Sequence, residues 1–518
     1  MRRLLLIASL LSLAPPVQAG WENVGTPFST AGDSPDFSLA GNLRARGDFF
    51  YNLDLDRGPT PSGDLLFPAP ASDPQNGQLI TGADLRLRLQ PIMVYRGIAV
   101  HAQVDVFDNL ALGSTPRPAP SESVVSGQDV PRLGVNSLVD AIAVRRVWAE
   151  AALPIGLLAV GRMPSHWGLG IVANDGLCDE CDLGDSSDRI AFVTPLLGHI
   201  WGIGFDWSAS GPQLLRSGAQ LDREPADDVR SIGGSVLSWL PDAAVDRKVR
   251  AGKLVLNYGL LGSYRWQQRE AVAASGQGGA ADPLLWVDRG LSAGIVDGWA
   301  RLRWSGLRIE AEAAYLNASI ANASLVPGMR LHHPLTSNQW GGALETEWAP
   351  LDSWWAVGLD AGIASGDPAP GFGGRDDLRF GQPGDLDGAQ IRPPYDMAVD
   401  NFRFHSDYRV DRILWRQIVG TVTDGAYLRG RGAIEPLRGL RFELAAIGSL
   451  ALAAESAPGR TNLLGVELDP TVSYRSRDGF EMLLAYGFLW PLDGLGNRDP
   501  ERAAHPGQTI RWMTRFVF

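Results

Sequence analysis

The two cysteines of the 518-residue chain stand three apart, as Cys178 and Cys181, inside a run crowded with carboxylates. Asp175, Asp179, Glu180, Asp182, Asp185 and Asp188 surround them. In an exported chain such a pair is expected to close as a disulfide, and so small a ring would add local rigidity. Zinc would need two further ligands beside the thiolates. Among the carboxylates, Asp179, Asp182 and Asp185 offer hard oxygens that would suit Ca²⁺. A solvated acidic loop that meets divalent-bridged lipopolysaccharide is the other reading of the same residues.

The second set of charges is periodic. Arg44, Arg46 and Asp48 are spaced by two, as are Arg86 and Arg88, while Arg511 and Arg515 are spaced by four. The acidic pairs Glu310/Glu312 and Glu345/Glu347 repeat the pattern. On a strand, a spacing of two or four puts the members of a set on one face. Inside a closed sheet these would make a cationic wall and an anionic wall, a transverse field that orients solutes and sets ion selectivity. Cross-strand salt bridges holding the bore shut are the alternative use of the same residues. The seven histidines are scattered and no serine sits in a nucleophile elbow. The chain therefore reads as a non-enzyme, with His166, His405 and nearby acids the residues on which a barrel enzyme would have to depend.

Strands must position these charges, and the sequence supplies the alternation. In residues 37–53, Phe37, Leu39, Leu43, Phe49 and Tyr51 fall on one side, and Asn42, Arg44, Arg46 and Asp48 on the other. Seventeen alternating residues exceed the five or six of an average soluble strand and suffice to cross a bilayer at a tilt. The pattern recurs near residues 79–91, 98–106, 139–153, 157–163, 188–207 and 253–267, and in the hairpins around Ser305-Gly306 and Pro350-Leu351-Asp352. Further strands are expected at 414–428, 440–450, 464–474, 480–490 and 506–518. Arg145 and Arg146 are adjacent, so one must face lipid unless it lies at a rim or in a bulge; Arg146 and Glu150 are assigned to the interior and Arg145 to an interface. Residues 211–250 fit no strand well and could hold a helical excursion or an extra hairpin.

Long polar connections alternate with short turns, as in outer-membrane barrels. Counted this way, the fold class is all-β: a transmembrane antiparallel β-barrel of about 16 strands, within a range of 14–18. The longest connection, from about 366 to 412, is rich in Pro and Gly and could fold into the pore as a constriction or remain a surface loop.

Residues 1–19 carry Arg2-Arg3, a short apolar core and Val17-Gln18-Ala19, the pattern of a cleaved secretory signal. Residues 20–36 would then be a periplasmic segment and 37–518 the barrel. The chain has 58 acidic against 46 basic residues, net −12, which argues against nucleic acid as a partner. A hydrophobic content of 45% suits a soluble protein and a barrel equally, so pattern, not composition, carries the class.

The last strand alternates Ile510, Trp512, Thr514, Phe516 and Phe518 with Arg511, Met513, Arg515 and Val517. It resembles the terminal strand of bacterial outer-membrane barrels, in which a terminal phenylalanine is offered to the assembly machinery. That resemblance implies an assembly signal at Phe516 and Phe518. The run Gly161-Arg162-Met163-Pro164-Ser165-His166-Trp167-Gly168-Leu169-Gly170, with residues 401–409 (NFRFHSDYR) and 420–424 (GTVTD), resembles uncharacterised porin-like outer-membrane proteins of myxobacterial type and, more distantly, alginate-export barrels. The expectation is a porin-like channel in the outer membrane of a Gram-negative bacterium, both barrel termini periplasmic. Its partners would be lipid, lipopolysaccharide, the barrel assembly machinery and small or anionic solutes passing an arginine-lined lumen. A structural or adhesive surface barrel without an open pore is the alternative.

Overall fold

A computed structural model describes residues 34–56, 79–112, 142–182, 184–210, 226, 228–273, 284–324, 330, 333–351, 353–368, 397–496 and 503–518. The expected secretory signal and most of the expected N-terminal segment lie outside the described residues.

Eighteen strands follow in chain order. The first nine are β1 (Asp36–Tyr51), β2 (Leu79–Tyr95), β3 (Ile98–Ala111), β4 (Ile142–Leu153), β5 (Gly156–Pro164), β6 (Ser186–Leu196), β7 (His199–Ser210), β8 (Arg230–Ser238) and β9 (Val255–Ala273). The rest are β10 (Leu284–Trp304), β11 (Leu307–Ile320), β12 (Leu335–Trp348), β13 (Trp355–Ala364), β14 (Gly425–Leu437), β15 (Leu440–Ala451), β16 (Leu463–Arg475), β17 (Phe480–Pro491) and β18 (Gly507–Val517). A helix, α1 (Asp242–Arg250), joins β8 to β9. Every strand pairs antiparallel with its sequence neighbours, and β1 pairs with both β2 and β18, so the sheet closes. The start of β1 and the end of β18 share one rim with the short turns.

The faces are inverted relative to a protein in water. On β1, Phe37, Leu39, Phe49 and Tyr51 are exposed on the outside, while Arg44, Arg46 and Asp48 are buried within. Ile142, Val144, Ile203, Leu260, Val296, Leu359, Leu444 and Leu484 continue the exposed apolar band around the barrel. Trp201, Trp304, Trp348 and Trp354 stand exposed near the short-turn rim, where an indole spans the lipid–water boundary. So much contiguous exposed apolar surface requires an apolar solvent, and a closed sheet leaves no unpaired backbone edge in it. The barrel is therefore of the transmembrane type. No described helix is long and apolar enough to cross a membrane.

The closing seam is held by aromatic rings laid over glycines. Phe518 exchanges two backbone hydrogen bonds with Gly41, 2.9 and 3.0 Å. Gly47 lies opposite Trp512, and a Cβ on Gly47 would sit 2.2 Å from the Trp512 indole. Only glycine lets that ring cover the seam.

Eighteen strands, not sixteen, correct the expected count, and both extra strands have a physical origin. Residues 188–207 contain a two-residue turn, Leu197-Gly198, between β6 and β7, with Leu196 opposite His199. Both turn residues have positive φ, 53° and 79°, which suits the twist of a tight hairpin. Leucine in that position gives no turn signal in the sequence. The other missed strand, β8, turns Ser231, Gly233 and Ser235 inward, so its alternation is faint. After it comes α1, docked through Val245 and Val249 onto Val255. The described part of residues 211–250, 226 and 228–250, holds one strand and one helix where a helical excursion or a hairpin was expected; the rest lies outside the described residues. Residues 414–428 are not one strand. Leu414–Ile418 is a π-helical turn with all five residues buried, and β14 begins only at Gly425. The adjacent arginines are reconciled by a bulge: Arg146 pairs with Gln103 and Val144 with Val104, leaving Arg145 as the extra residue. Arg145 consequently turns inward too, 3.4 Å from Asp105, instead of lying at an interface.

Candidate functional site in the barrel lumen

A bore of this width would hold water if side chains alone lined it. Two connections fold into it. The inner loop, residues 165–185, links β5 to β6; the inner strap, residues 397–424, precedes β14. They are stitched to each other and to the strands. His405 N donates to the Ile171 carbonyl at 2.7 Å, Phe404 N to the Val422 carbonyl at 2.9 Å, and Thr421 Oγ1 to the Phe404 carbonyl. His405 Nε2 lies 3.3 Å from Asp185 Oδ2. The three sequence runs singled out above thus meet in one place, inside the barrel. An apolar core forms there, with Phe402, Phe404, Tyr408, Ile413, Leu414, Trp415 and Ile418 packed on Ala343, Ile447 and Leu464 of the strands.

The expected arginine set faces this interior. Arg44 and Arg46 on β1, Arg86 and Arg88 on β2 and Arg511 on β18 are buried, with Asp48, and Arg515 is half-buried. The arginines are not free charges lining water. Cys178 and Cys181 are disulfide-bonded, and the small ring presents its acids to the arginines. Arg44 and Arg46 each donate to Asp182 at 2.6 Å, and Arg86 does so at 3.1 Å. Glu180 meets Arg412, Arg416 and Arg511 at 3.4, 3.5 and 3.3 Å. Asp179 meets Arg515 at 2.5 Å and Arg475 at 3.3 Å. Within the sheet, Arg511 also pairs with Asp48, Arg46 with Asp84 and Arg88 with Asp105. Burial alone would push the Asp182 carboxyl up; Arg44, Arg46 and Arg86 overturn that and hold it well below the ordinary carboxylate range. Burial likewise opposes, and Arg412, Arg416 and Arg511 reverse, the shift of Glu180, which also ends well below its usual value.

The three carboxylates considered for Ca²⁺ do not converge. Asp179 and Asp182 are taken by arginines on different strands, and Asp185 lies against His405 and the Asn174 amide. Among the described residues no group of three or more His, Cys, Asp or Glu side chains could hold a metal ion.

The acidic set also faces inward and is also occupied. Glu310 and Glu312 are buried; Glu345 and Glu347 are half-buried. Trp299 Nε1 donates to Glu310 at 2.9 Å, and Arg308 bridges Glu310 and Glu345. Glu347 pairs with Arg431 at 2.7 Å. Glu312 accepts the Gly170 amide at 2.9 Å. The inner loop thus spans the bore from the acidic side to the arginine side; Glu310, Glu345, Glu347 and the arginines have near counter-charges, while Glu312 is held by backbone amides of the loop. Local pairing of this kind works against the transverse field expected from opposed bare walls.

The described residues line two cavities of note. One of about 170 Å³ lies against β7–β10 and is lined by Ser186, Ser187, Ser231, Gly233, Ser263, Arg189, Asp206, Asp185 and Arg265. Another, of about 940 Å³, opens toward the short-turn rim and reaches Arg86, Arg88, Arg409, Arg475, Asp179 and Phe518. Arg189 and Asp206 form a two-point pair, both contacts 2.6 Å. Sequence reading missed this lining because it depends on β7 and β8: once β8 is recognised, alternation alone assigns Ser231, Gly233 and Ser235 to the interior. Glu180 and the strap residues Arg409, Arg412 and Arg416 were likewise missed, since no strand periodicity marks a loop folded inward.

No protein-family model matches the chain, and no curated protein does. Solved barrels resemble it in shape. OccK9 (OpdG) of Pseudomonas aeruginosa is 12% identical with a TM-score of 0.49, over 93% of this chain and 98% of that one. OccAB1 of Acinetobacter baumannii is 9% identical, TM-score 0.47, over 93% and 96%. A BenF-like porin of Pseudomonas fluorescens is 11% identical, TM-score 0.46, over 93% and 98%. At that level of likeness the barrel stands on its own strand pairing.

Proposed function

We propose that this protein is an outer-membrane, porin-like channel for small polar solutes, with both barrel termini on the periplasmic side. The observation that carries the reading is a closed eighteen-stranded barrel, apolar outside, whose inward loop and strap leave two charge- and hydroxyl-lined cavities. A structural barrel has no need of a polar lining in its bore; a channel does. The wider cavity has six arginines in its lining, Arg86, Arg88, Arg409, Arg475, Arg477 and Arg515, against five carboxylates. That near balance supports a slight preference for anions and not the strong one that bare arginines would impose. Planar-bilayer recordings of the refolded protein test this: discrete conductance steps and a reversal potential displaced slightly toward the anion are expected. A barrel that inserts without steps would refute the channel and leave a structural or adhesive surface role.

A further inference from the structure

His166 is the single described residue that belongs to the lining of both cavities. The smaller cavity extends from it toward Asp206 and Ser231, at the strand ends that carry the long connections. The larger extends from it toward Arg477 and Phe518, at the short-turn rim. The neighbours of His166 are tied down. Ser165 N donates to the Asp185 carbonyl at 3.1 Å and Trp167 N to the Ala173 carbonyl at 3.0 Å. The Trp167 ring is buried, seated over Gly259, where an added Cβ would lie 2.8 Å from it. The imidazole between these anchors is held far less firmly. Among the described residues its Nδ1 has no hydrogen-bond partner, the Asp175 carboxylate comes no closer than 3.8 Å, and its side chain is 23% exposed. A fixed backbone with a loosely held ring can swing that ring by a rotamer change without disturbing the loop, on the fast timescale of partly exposed side chains.

We propose that His166 is the gate between the two cavities, the side chain past which a permeating solute must move. The proposal rests on the channel reading above and adds where permeation is limited. Because the solute meets the ring's bulk, the gate discriminates by size: small polar solutes pass, and bulkier ones are held in the outer cavity.

The test uses full-length protein refolded into planar bilayers, with His166→Ala, His166→Trp and His166→Cys beside the unaltered chain. Removing the ring should roughly double single-channel conductance and admit larger sugars, because flux through a pore depends steeply on its narrowest radius. His166→Trp should lower conductance and tighten the size limit. In His166→Cys, a methanethiosulfonate reagent should block the open channel from either side; the native cysteines are already bridged, so the new thiol is the one that reacts. Should His166→Trp fail to fold, the cysteine variant still decides, since its bulk is added after insertion. If the unaltered chain conducts and all three variants match it in conductance and size limit, with the reagent inert, His166 is not the gate and the channel reading survives. If the unaltered chain shows no conductance steps, both fall.

Discussion

The two sides of the lumen solve opposite problems. On β18, β1 and β2, buried arginines crowd one wall, and the chain supplies their counter-charges by folding the disulfide-closed turn of residues 178–182 against them. On the β6–β10 side a smaller cavity is left, its lining rich in Gly and Ser and including the tight Arg189–Asp206 pair, Arg265 and Asp185. A dense set of like charges in a low-dielectric interior cannot stay unpaired, so the arginine side draws the loop in and keeps open space toward the short-turn rim, where the wider cavity reaches Arg86, Arg88 and Arg515. Small neutral side chains draw in no counter-charged loop, and the smaller cavity lies beside them. Charge in a barrel wall therefore does not by itself mark an open bore; here much of it is paired with the inner loop.

The largest test of this contrast is Asp182→Ala. It would strand Arg44, Arg46 and Arg86 without the acid they share, and breaking a buried pair of this kind costs about 3–5 kcal/mol. A marked drop in the thermal transition of the refolded barrel is expected, and an unchanged transition would mean that the loop is not anchored by these ion pairs. The matching change on the β6–β10 side is Gly233→Trp. A Cβ there meets the Gly262 carbonyl at 3.4 Å and Ser263 at 3.6 Å, ordinary contacts, so the indole enters the cavity without backbone strain. Stability should change by about 0.5 kcal/mol or less while bilayer conductance falls severalfold; unaltered conductance would place the path elsewhere.

The smallest effect is a pH dependence that separates loop from strap. Asp411, at the start of the strap's π-helical turn, accepts amides of Trp415 and Arg416. Burial, opposed by those amides and aided by the nearby Asp469 carboxylate, pushes its pKa up to about 7. A carboxyl whose folded pKa is raised gives stability that is fully present below its unfolded value and lost as pH rises through the folded one. Between about pH 4 and pH 7 the strap should therefore loosen, seen as faster amide exchange in residues 413–418 after correction for intrinsic rates. Asp411→Asn should weaken that dependence at Trp415 and Arg416, whose amides it accepts. The disulfide-closed turn of residues 178–182 should show no such change over this window, because Asp182 and Glu180 stay ionised throughout it. Equal sensitivity of loop and strap would erase the distinction.

What the sequence alone determined is the barrel and the direction of its side chains. Alternation over ten or more residues is a local property, so Arg44, Arg46, Arg86, Arg88, Glu310, Glu312 and Arg511 could be assigned to the interior without knowing any partner. The terminal strand declares itself in the same way, and its partner follows from closure. Strand number was less legible, because a hairpin turning on Leu197-Gly198 and a strand faced with Ser and Gly carry little hydrophobic contrast. Only the tertiary structure decided what the interior charges do. Asp182 and Arg44 are 138 residues apart, Glu180 and Arg511 are 331 apart, and no periodicity links a loop to the wall it folds against. Such pairings arise when closure of the sheet brings distant arginines onto one surface, where the cost of leaving them unpaired selects the nearest acids that can reach.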